Sequence, residues 1–327
     1  MLLMAGFCWI LVKGVYTSTS LAVAAAYSVL GLLFIFQVYL FMFLLTAHIL
    51  TTFLKKIPGR GIAAAGVLAC LGLVGFGFYQ AQSFTVANYE IQVKGLAGPV
   101  SIMHISDLHL GAQRGEAYLQ KVVEAVNRHK PDLVLYNGDL ADSNIALRPE
   151  LFALFKNVNA EQYFTTGNHE FYIATDKALA LIENAGIRVL RSEMVETHGL
   201  QLIGLEYMNA DRTTSDNHRV NDLTIEEELP KIPRSPEAFP TILAHHSPVG
   251  LRYVAREKID VMLAGHTHGG QLFPGNILAA LRFPMVKGQR QIDDMTLLVS
   301  QGAGTFGPWM RLGAFNEIQF VTLVPGE

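Results

Sequence analysis

Val261-Met262-Leu263-Ala264-Gly265-His266-Thr267-His268-Gly269-Gly270-Gln271 is an apolar run that stops at a glycine and a pair of histidines. A short apolar run bounded by a glycine reads as a buried strand. Residues two apart in an extended segment face the same side, so His266 and His268 offer two imidazoles to one small volume at a strand's carboxyl end. The arrangement recurs four times upstream. Asp107 and His109 follow an apolar run at 100–105, and Asp139 follows Gly138 after a run at 133–136. Asn168, His169 and Glu170 follow Gly167 after 163–165, and His246-Ser247-Pro248 follows 241–244. Functional groups in α/β sheets gather where the carboxyl ends of strands enter loops. Gly138, Gly167 and Gly265 read as turn residues that let the backbone bend sharply beside them.

Further apolar runs at 187–190, 200–204, 296–299 and 318–323 read as strands. Helical spacing of Leu119, Val122, Val123 and Val126, a short segment marked by Phe152 and Phe155, and segments 177–184 and 251–257 read as helices between them. The charged, proline-containing stretch 226–240 reads as a loop. This order predicts an α/β domain in which helices cover a central sheet or pair of sheets.

A single histidine at a strand end is more often structural than functional, and an isolated Gly-Asp is a common turn signal. Five fragments, each at a strand end and each carrying a carboxylate, imidazole or carboxamide, favour a metal site instead. Imidazole suits Zn, Fe and Mn, and carboxylate and carboxamide oxygens suit Mn, Mg and Fe. Seven candidate ligands exceed one tetrahedral zinc. They match two ions about 3.5–4 Å apart that share a carboxylate, which points to Mn, Zn or Fe ahead of Mg.

The 327 residues have a mean hydropathy of +0.29, and 16% are charged. The first 80 residues hold Lys13, Lys55, Lys56 and Arg60 and no acidic residue, giving +4, and the remainder is −7. An acidic catalytic part argues against nucleic-acid binding through a basic surface, and no nucleic-acid partner is expected. Residues 21–50 are almost continuously apolar and exceed the roughly 20 needed to cross a bilayer. Residues 62–79 give a second span, and 1–16 a third with Lys13 snorkelling. A cleaved signal peptide is the competing reading of that first piece, but a basic n-region is missing. Lys55, Lys56 and Arg60 between the second and third apolar stretches put that loop in the cytoplasm, and everything after about residue 81 on the outer face. Cys8 and Cys70 lie in apolar stretches, so no disulfide framework is expected.

The string D-x-H, G-D, G-N-H-E, H-x-P, G-H-x-H resembles the calcineurin-like metallophosphoesterase superfamily from about residue 98 to the C-terminus. His246-Ser247-Pro248-Val249-Gly250, residues 265–271, and Gln301-Gly302-Ala303-Gly304-Thr305-Phe306-Gly307-Pro308 resemble its membrane-anchored bacterial branch, which is similar to the branch containing UDP-2,3-diacylglucosamine diphosphatase-type enzymes. The resemblance implies an α/β fold, a four-layered sandwich of two sheets flanked by helices over 81–327, preceded by transmembrane helices. It implies that one metal takes Asp107, His109, His268 and a bridging Asp139, and the other takes Asp139, Asn168, His246 and His266. It also implies that Asn168 and His169 contact the phosphate, that His169 protonates the leaving oxygen without binding metal, and that Glu170 holds its ring. Helix-start capping is the other reading of Glu170. The H-x-P spacing favours His246 over His245, which is expected to be structural.

Arg311 is a candidate phosphate ligand, with an exposed structural arginine as the alternative. His104 is expected to be a satisfied core histidine, and His48 to sit in the long apolar span. The stretch 272–286, with Phe273, Ile277, Leu278, Leu281, Phe283 and Met285, is apolar for a loop beside a site. It reads as a membrane-surface guide for a lipid-linked phosphate or as a core-packed excursion. The expected function is a membrane-anchored metal-dependent phosphoesterase or pyrophosphatase, using hydroxide generated between two metals, on a lipid-linked or envelope phosphate. The expected location is the outer face of a bacterial cytoplasmic membrane. Alternatives are the same chemistry on soluble nucleotides or phosphoproteins, and a silent metal-binding scaffold.

Overall fold

Leu133 and Leu135 are fully buried, and so are Val134 and Tyr136 between and beside them. Strands buried on both faces read as continuous apolar runs, because successive side chains enter different cores. A computed structural model describes residues 2–54, 59–213, 220–235 and 239–326. The described helices are α1 (Leu2–Thr17), α2 (Leu21–Leu54), α3 (Gly59–Gln80), α4 (Glu116–His129), α5 (Pro149–Phe152), α6 (Thr175–Asn184), α7 (Ile225–Glu228), α8 (Leu251–Arg256) and α9 (Gly275–Arg282). The strands are β1 (Thr85–Val93), β2 (Val100–Ile105), β3 (Leu133–Asn137), β4 (Glu161–Thr165), β5 (Arg188–Val189), β6 (Glu193–Thr197), β7 (Leu200–Gly204), β8 (Thr241–Ala244), β9 (Val261–Ala264), β10 (Gly288–Ile292), β11 (Met295–Val299) and β12 (Glu317–Pro325).

The strands form two six-stranded sheets, ordered β1-β12-β2-β3-β4-β5 and β10-β11-β9-β8-β7-β6. Within them β2, β3, β4 and β5 run parallel, as do β7, β8, β9 and β11. Ile102, Leu133, Leu135, Ile242, Val261 and Leu263 fill the layer between the sheets. Their neighbours Met103, Val134 and Tyr136 face outward onto Leu119, Val122 and Ile182 of α4 and α6. Leu243 and Met262 face outward onto Tyr253 and Val254 of α8. The result is the expected four-layered α/β sandwich.

Three strands, β1, β6 and β10, fall where no strand was expected. All three are edge strands, exposed over much of their length, and their polar residues dilute the apolar signal. The 226–240 stretch contains α7, capped by the Thr224 side chain, which accepts from the Glu227 amide. The 272–286 stretch contains α9, which buries none of its residues, whereas Met285 after it packs into the core with Leu243 and Met262.

Among the described residues, α2 and α3 are long and apolar enough to cross a membrane. The 16-residue α1 rises about 24 Å, short of the roughly 30 Å hydrocarbon core. Its last turn packs on the α/β part, where Val15 is buried and the Thr17 carbonyl accepts from Asn144 Nδ2 at 3.1 Å. Lys55 and Lys56, on which the expected orientation rests, lie outside the described residues, as does the Arg60 side chain. His48 is exposed on α2.

The hairpin of α2 and α3 is seated on the segment before β12. The Arg311 amide donates to Gly77 O at 2.9 Å, and Phe78 meets Trp309 edge-on at 5.2 Å. Tyr39 donates to Phe273 O at 2.8 Å. Tyr39, Cys70 and Met310 form a small core of their own. A Cβ at Gly77 would stand 2.5 Å from Met310 Cε and 3.1 Å from Arg311 O. Gly77→Leu is therefore expected to destabilise by about 1–3 kcal/mol. Gly72→Leu, with nothing within 4 Å of an added Cβ, should leave the thermal unfolding midpoint in detergent unchanged.

Candidate metal centre

Every fragment picked from the sequence arrives at one end of the sandwich, because β2, β3, β4, β8 and β9 present their carboxyl ends together. The donors then meet. His109 Nε2 and His268 Nε2 are 3.1 Å apart, and Asp107 Oδ1 is 3.1 Å from His268 Nε2. His246 Nε2 is 3.2 Å from Asp139 Oδ2 and 3.7 Å from Asp107 Oδ1. Adjacent donors of an ion at about 2.1 Å stand about 3.0–3.4 Å apart. Asp107, His109 and His268 form one set able to hold a cation, and Asp139, His246 and His266 form another. His169 reaches a third set with His109 and Asp139, so proximity alone does not separate it from the ligands.

Asp139 occupies the shared position for a definite reason. Its Oδ1 accepts from the His169 amide at 2.8 Å, which turns Oδ2 toward both His246 and His109, the latter at 3.8 Å. Asn168 joins them with a buried Oδ1 that has no hydrogen-bond partner. Buried polar atoms are almost always satisfied, and a carboxamide oxygen left open among carboxylates and imidazoles fits a hard cation. His246 Nε2 is likewise buried without a hydrogen bond, while its Nδ1 lies 2.8 Å from Asn137 O. That contact makes Nδ1 the protonated nitrogen and leaves Nε2 for a ligand. His245 turns away, with Nδ1 2.7 Å from Ser247 O and its ring stacked on Tyr207.

The backbone carries the strain of this convergence. Asp107, His109, Asp139, His266 and His268 all have φ between 50° and 69°. Left-handed non-glycine residues are uncommon, each costing on the order of 1–3 kcal/mol, and they cluster at functional sites. The glycines contribute space more than turning. Of Gly138, Gly167 and Gly265, only Gly138 has a positive φ. A Cβ at Gly167 would lie 2.5 Å from the Asp139 amide nitrogen, and one at Gly265 would lie 2.5 Å from Asp107 Oδ2.

Two expectations are corrected. Glu170 neither holds the His169 ring nor caps a helix start. Its buried carboxylate accepts from the amides of Asp139 (2.9 Å), Leu140 (2.9 Å), Ala141 (3.4 Å) and Gly167 (2.7 Å), clamping two ligand loops together. Arg311 is fully buried, neither exposed nor facing the pocket. Its guanidinium donates to Asn316 Oδ1, to the carbonyls of His268, Gln301, Gly302 and Gly304, and toward His268 Nδ1 at 3.1 Å. It braces the His268 loop from behind.

Sequence reading missed Asn137, Asp142 and the pocket rings of Tyr16 and Tyr172. Asn137 spans the two sheets beneath the site, donating to Leu263 O at 2.8 Å, accepting from Thr165 Oγ1, and standing 3.1 Å from the satisfied core residue His104. Asp142 Oδ2 lies 3.7 Å from His109 Nδ1. The carboxylate three residues after Asp139 was its available signal. Tyr16, Tyr172, Leu278, Phe283 and Phe306 line the pocket over the donors, with a volume of about 420 Å³.

Burial raises the Asp107 and Asp139 carboxylates, but neighbouring imidazoles outweigh it: His268 and His246 hold Asp107 well below the usual range, and His246 and His169 do so for Asp139. Burial keeps His109 and His268 low. Burial also opposes protonation of His246, yet Asp139 and Asp107 win and push it up to about 10. Burial pushes Asp142 up to about 7.

Residues 100–270 match the calcineurin-like phosphoesterase family. The chain belongs to that family. It is a metal-dependent phosphoester hydrolase with a centre for divalent metals. It is 31% identical over 244 residues to an uncharacterized metallophosphoesterase of Aquifex aeolicus, covering 73% of this chain and 91% of that protein. One from Helicobacter pylori is 30% identical over 264 residues, covering 79% and 69%. A transmembrane protein with metallophosphoesterase domain from Danio rerio is 31% identical over 274 residues, covering 79% of this chain and 60% of its own length.

A cation held by His246 would displace its proton, so metal uptake there should release protons, and affinity should rise with pH toward about 10. The sign for the metal-free protein is opposite. Stability contributed by the raised His246 is complete below its ordinary value of 6.5 and is lost as pH rises through about 10. Titration calorimetry in buffers of different ionisation enthalpy measures the release. Gly265→Ala should displace Asp107 and lower the metal content found by elemental analysis, with the sheet circular dichroism retained.

Proposed function

We propose that the chain is a membrane-anchored phosphoesterase or pyrophosphatase with two divalent ions, Mn, Zn or Fe ahead of Mg, acting on a lipid-linked phosphate. The observation that carries the two-ion reading is the pair of donor sets joined at Asp139. Asp107, His109 and His268 would hold one ion, Asn168, His246 and His266 the other, and Asp139 both. When bound, such a pair supplies hydroxide at neutral pH and offsets charge on the phosphate oxygens.

The chain's own groups do the rest. Asn168 and His169 face the pocket where phosphate would bind. As the bond from phosphorus to the leaving oxygen breaks, the electron pair stays on that oxygen and His169 gives it a proton. Glu170 keeps the Asp139 and Gly167 turns in register so that the shared oxygen holds its place. Phe283, Phe306 and Leu278 limit water on the open side.

The lipid-linked substrate is supported by α9. Ile277, Leu278 and Leu281 are 52%, 66% and 81% exposed, and Leu278 also lines the pocket. Phe273, just before α9, is fastened to α2 by Tyr39. An apolar helix face tied to a helix able to cross a bilayer belongs at the membrane surface, where an acyl or prenyl chain would meet the metals. The outer face of a bacterial cytoplasmic membrane is the proposed location, supported by Lys55, Lys56 and Arg60 in the sequence between α2 and α3.

His169→Ala should keep both metals and lower turnover on alkyl phosphates by about 10²- to 10⁴-fold; unchanged turnover would remove His169 from the mechanism. Replacing Ile277, Leu278 and Leu281 together by Ser should impair lipid pyrophosphates in vesicles far more than a water-soluble ester. Equal losses on both would argue for a soluble substrate.

A further inference from the structure

His169 lies in a slot of rings. His109 meets it edge-on at 4.6 Å and 83°, Tyr172 at 5.2 Å and 58°, and Tyr16 at 5.4 Å and 83°. His109 and Tyr172 belong to the site's own loops. Tyr16 comes from α1, near the start of the chain. Its seat is built: Val15 beside it is buried, and Asn144 donates to the Thr17 carbonyl while its Oδ1 accepts from the Ala174 amide at 3.0 Å. One carboxamide thus fastens the last turn of α1 to the loop that follows His169 and Tyr172. Tyr16 also lines the pocket and packs on Tyr172 at 5.6 Å, so it closes the outer side of the slot.

Edge-to-face ring contacts favour particular orientations beyond the area they bury. From this geometry we infer that Tyr16 is a positioning residue for His169, so that α1 is part of the catalytic apparatus as well as part of the N-terminal helical region. The inference rests on the proton-donor role proposed for His169. Without the Tyr16 ring the imidazole can tilt from the leaving oxygen. The defect then scales with how much that oxygen needs a proton as its bond to phosphorus breaks. A nitrophenolate leaves readily as the anion, whereas an alkoxide does not.

The test uses the full-length, metal-loaded protein in detergent and a series of phosphate esters graded from 4-nitrophenyl to alkyl leaving groups. Tyr16→Leu is expected to lower kcat about fivefold to tenfold on the alkyl members and to leave the 4-nitrophenyl member within about twofold, with metal content and KM unchanged. Tyr16→Phe should restore the whole series, because the ring rather than the hydroxyl acts. Asn144→Ala should give the same graded pattern at smaller size. A uniform loss across the series, or no loss, overturns the inference. His169→Ala separates the two readings: a flat profile for it removes the proton donor itself, whereas a graded profile beside a flat Tyr16→Leu overturns only the role of Tyr16. A readout without turnover is the ring-proton resonance of His169 in metal-free, ¹³C-histidine-labelled protein, assigned with His169→Gln. Tyr16→Leu should move it toward its ordinary position, and no movement would show that the ring contact does not hold in solution.

Discussion

The His169 amide takes one oxygen of Asp139 and leaves the other facing His109 and His246, and the centre is organised around that division. A carboxylate buried among imidazoles is tolerable only where each lone pair has a partner of opposite character. Here the partners come from different strands: Asp139 from the end of β3, His109 from β2 and His246 from β8. They meet only if two sheets bring their carboxyl ends to the same place. Glu170 supplies the restraint, because its two oxygens gather four amides from the turns that carry Asp139 and Gly167. The left-handed backbone at five of the proposed ligands is the strain that the surrounding packing sustains.

The residues that converge were legible because chemistry and periodicity coincided. An apolar run that ends in a histidine, aspartate or asparagine, three times through a glycine, marks both a strand end and a donor, so β2, β3, β4, β8 and β9 and their seven donors could be read together. Edge strands such as β1 and β10 carry many exposed polar side chains and left no such mark. Supporting residues were harder. Arg311 read as a phosphate ligand because an arginine near a phosphate site has an obvious partner. Its burial behind His268 depends on carbonyls at 301–304 that no local pattern reveals. Glu170 was noticed but given the wrong partners, since its bonds go to amides thirty residues away as well as to Gly167 three residues before it. Tyr16 had no signal at all, lying in an apolar helix whose end meets the site only in the folded molecule.

The glycines teach a narrower lesson. Gly138, Gly167 and Gly265 were read as conformational hinges, yet only the first requires a positive φ. At the other two the missing side chain makes room for Asp139 and Asp107. The residue type was diagnostic for a steric reason, and the turns themselves are made by the proposed ligands.

The contact between Gly77 O and the Arg311 amide gives the helical hairpin a hold on the phosphoesterase centre. Arg311 also braces His268, so α3 is two short steps from a proposed metal ligand. A fragment cut after Gln80 for ease of handling would expose Met310 and Trp309 and deprive Arg311 of its backbone partner. Rates measured on such a fragment would describe a centre whose rear support had been loosened.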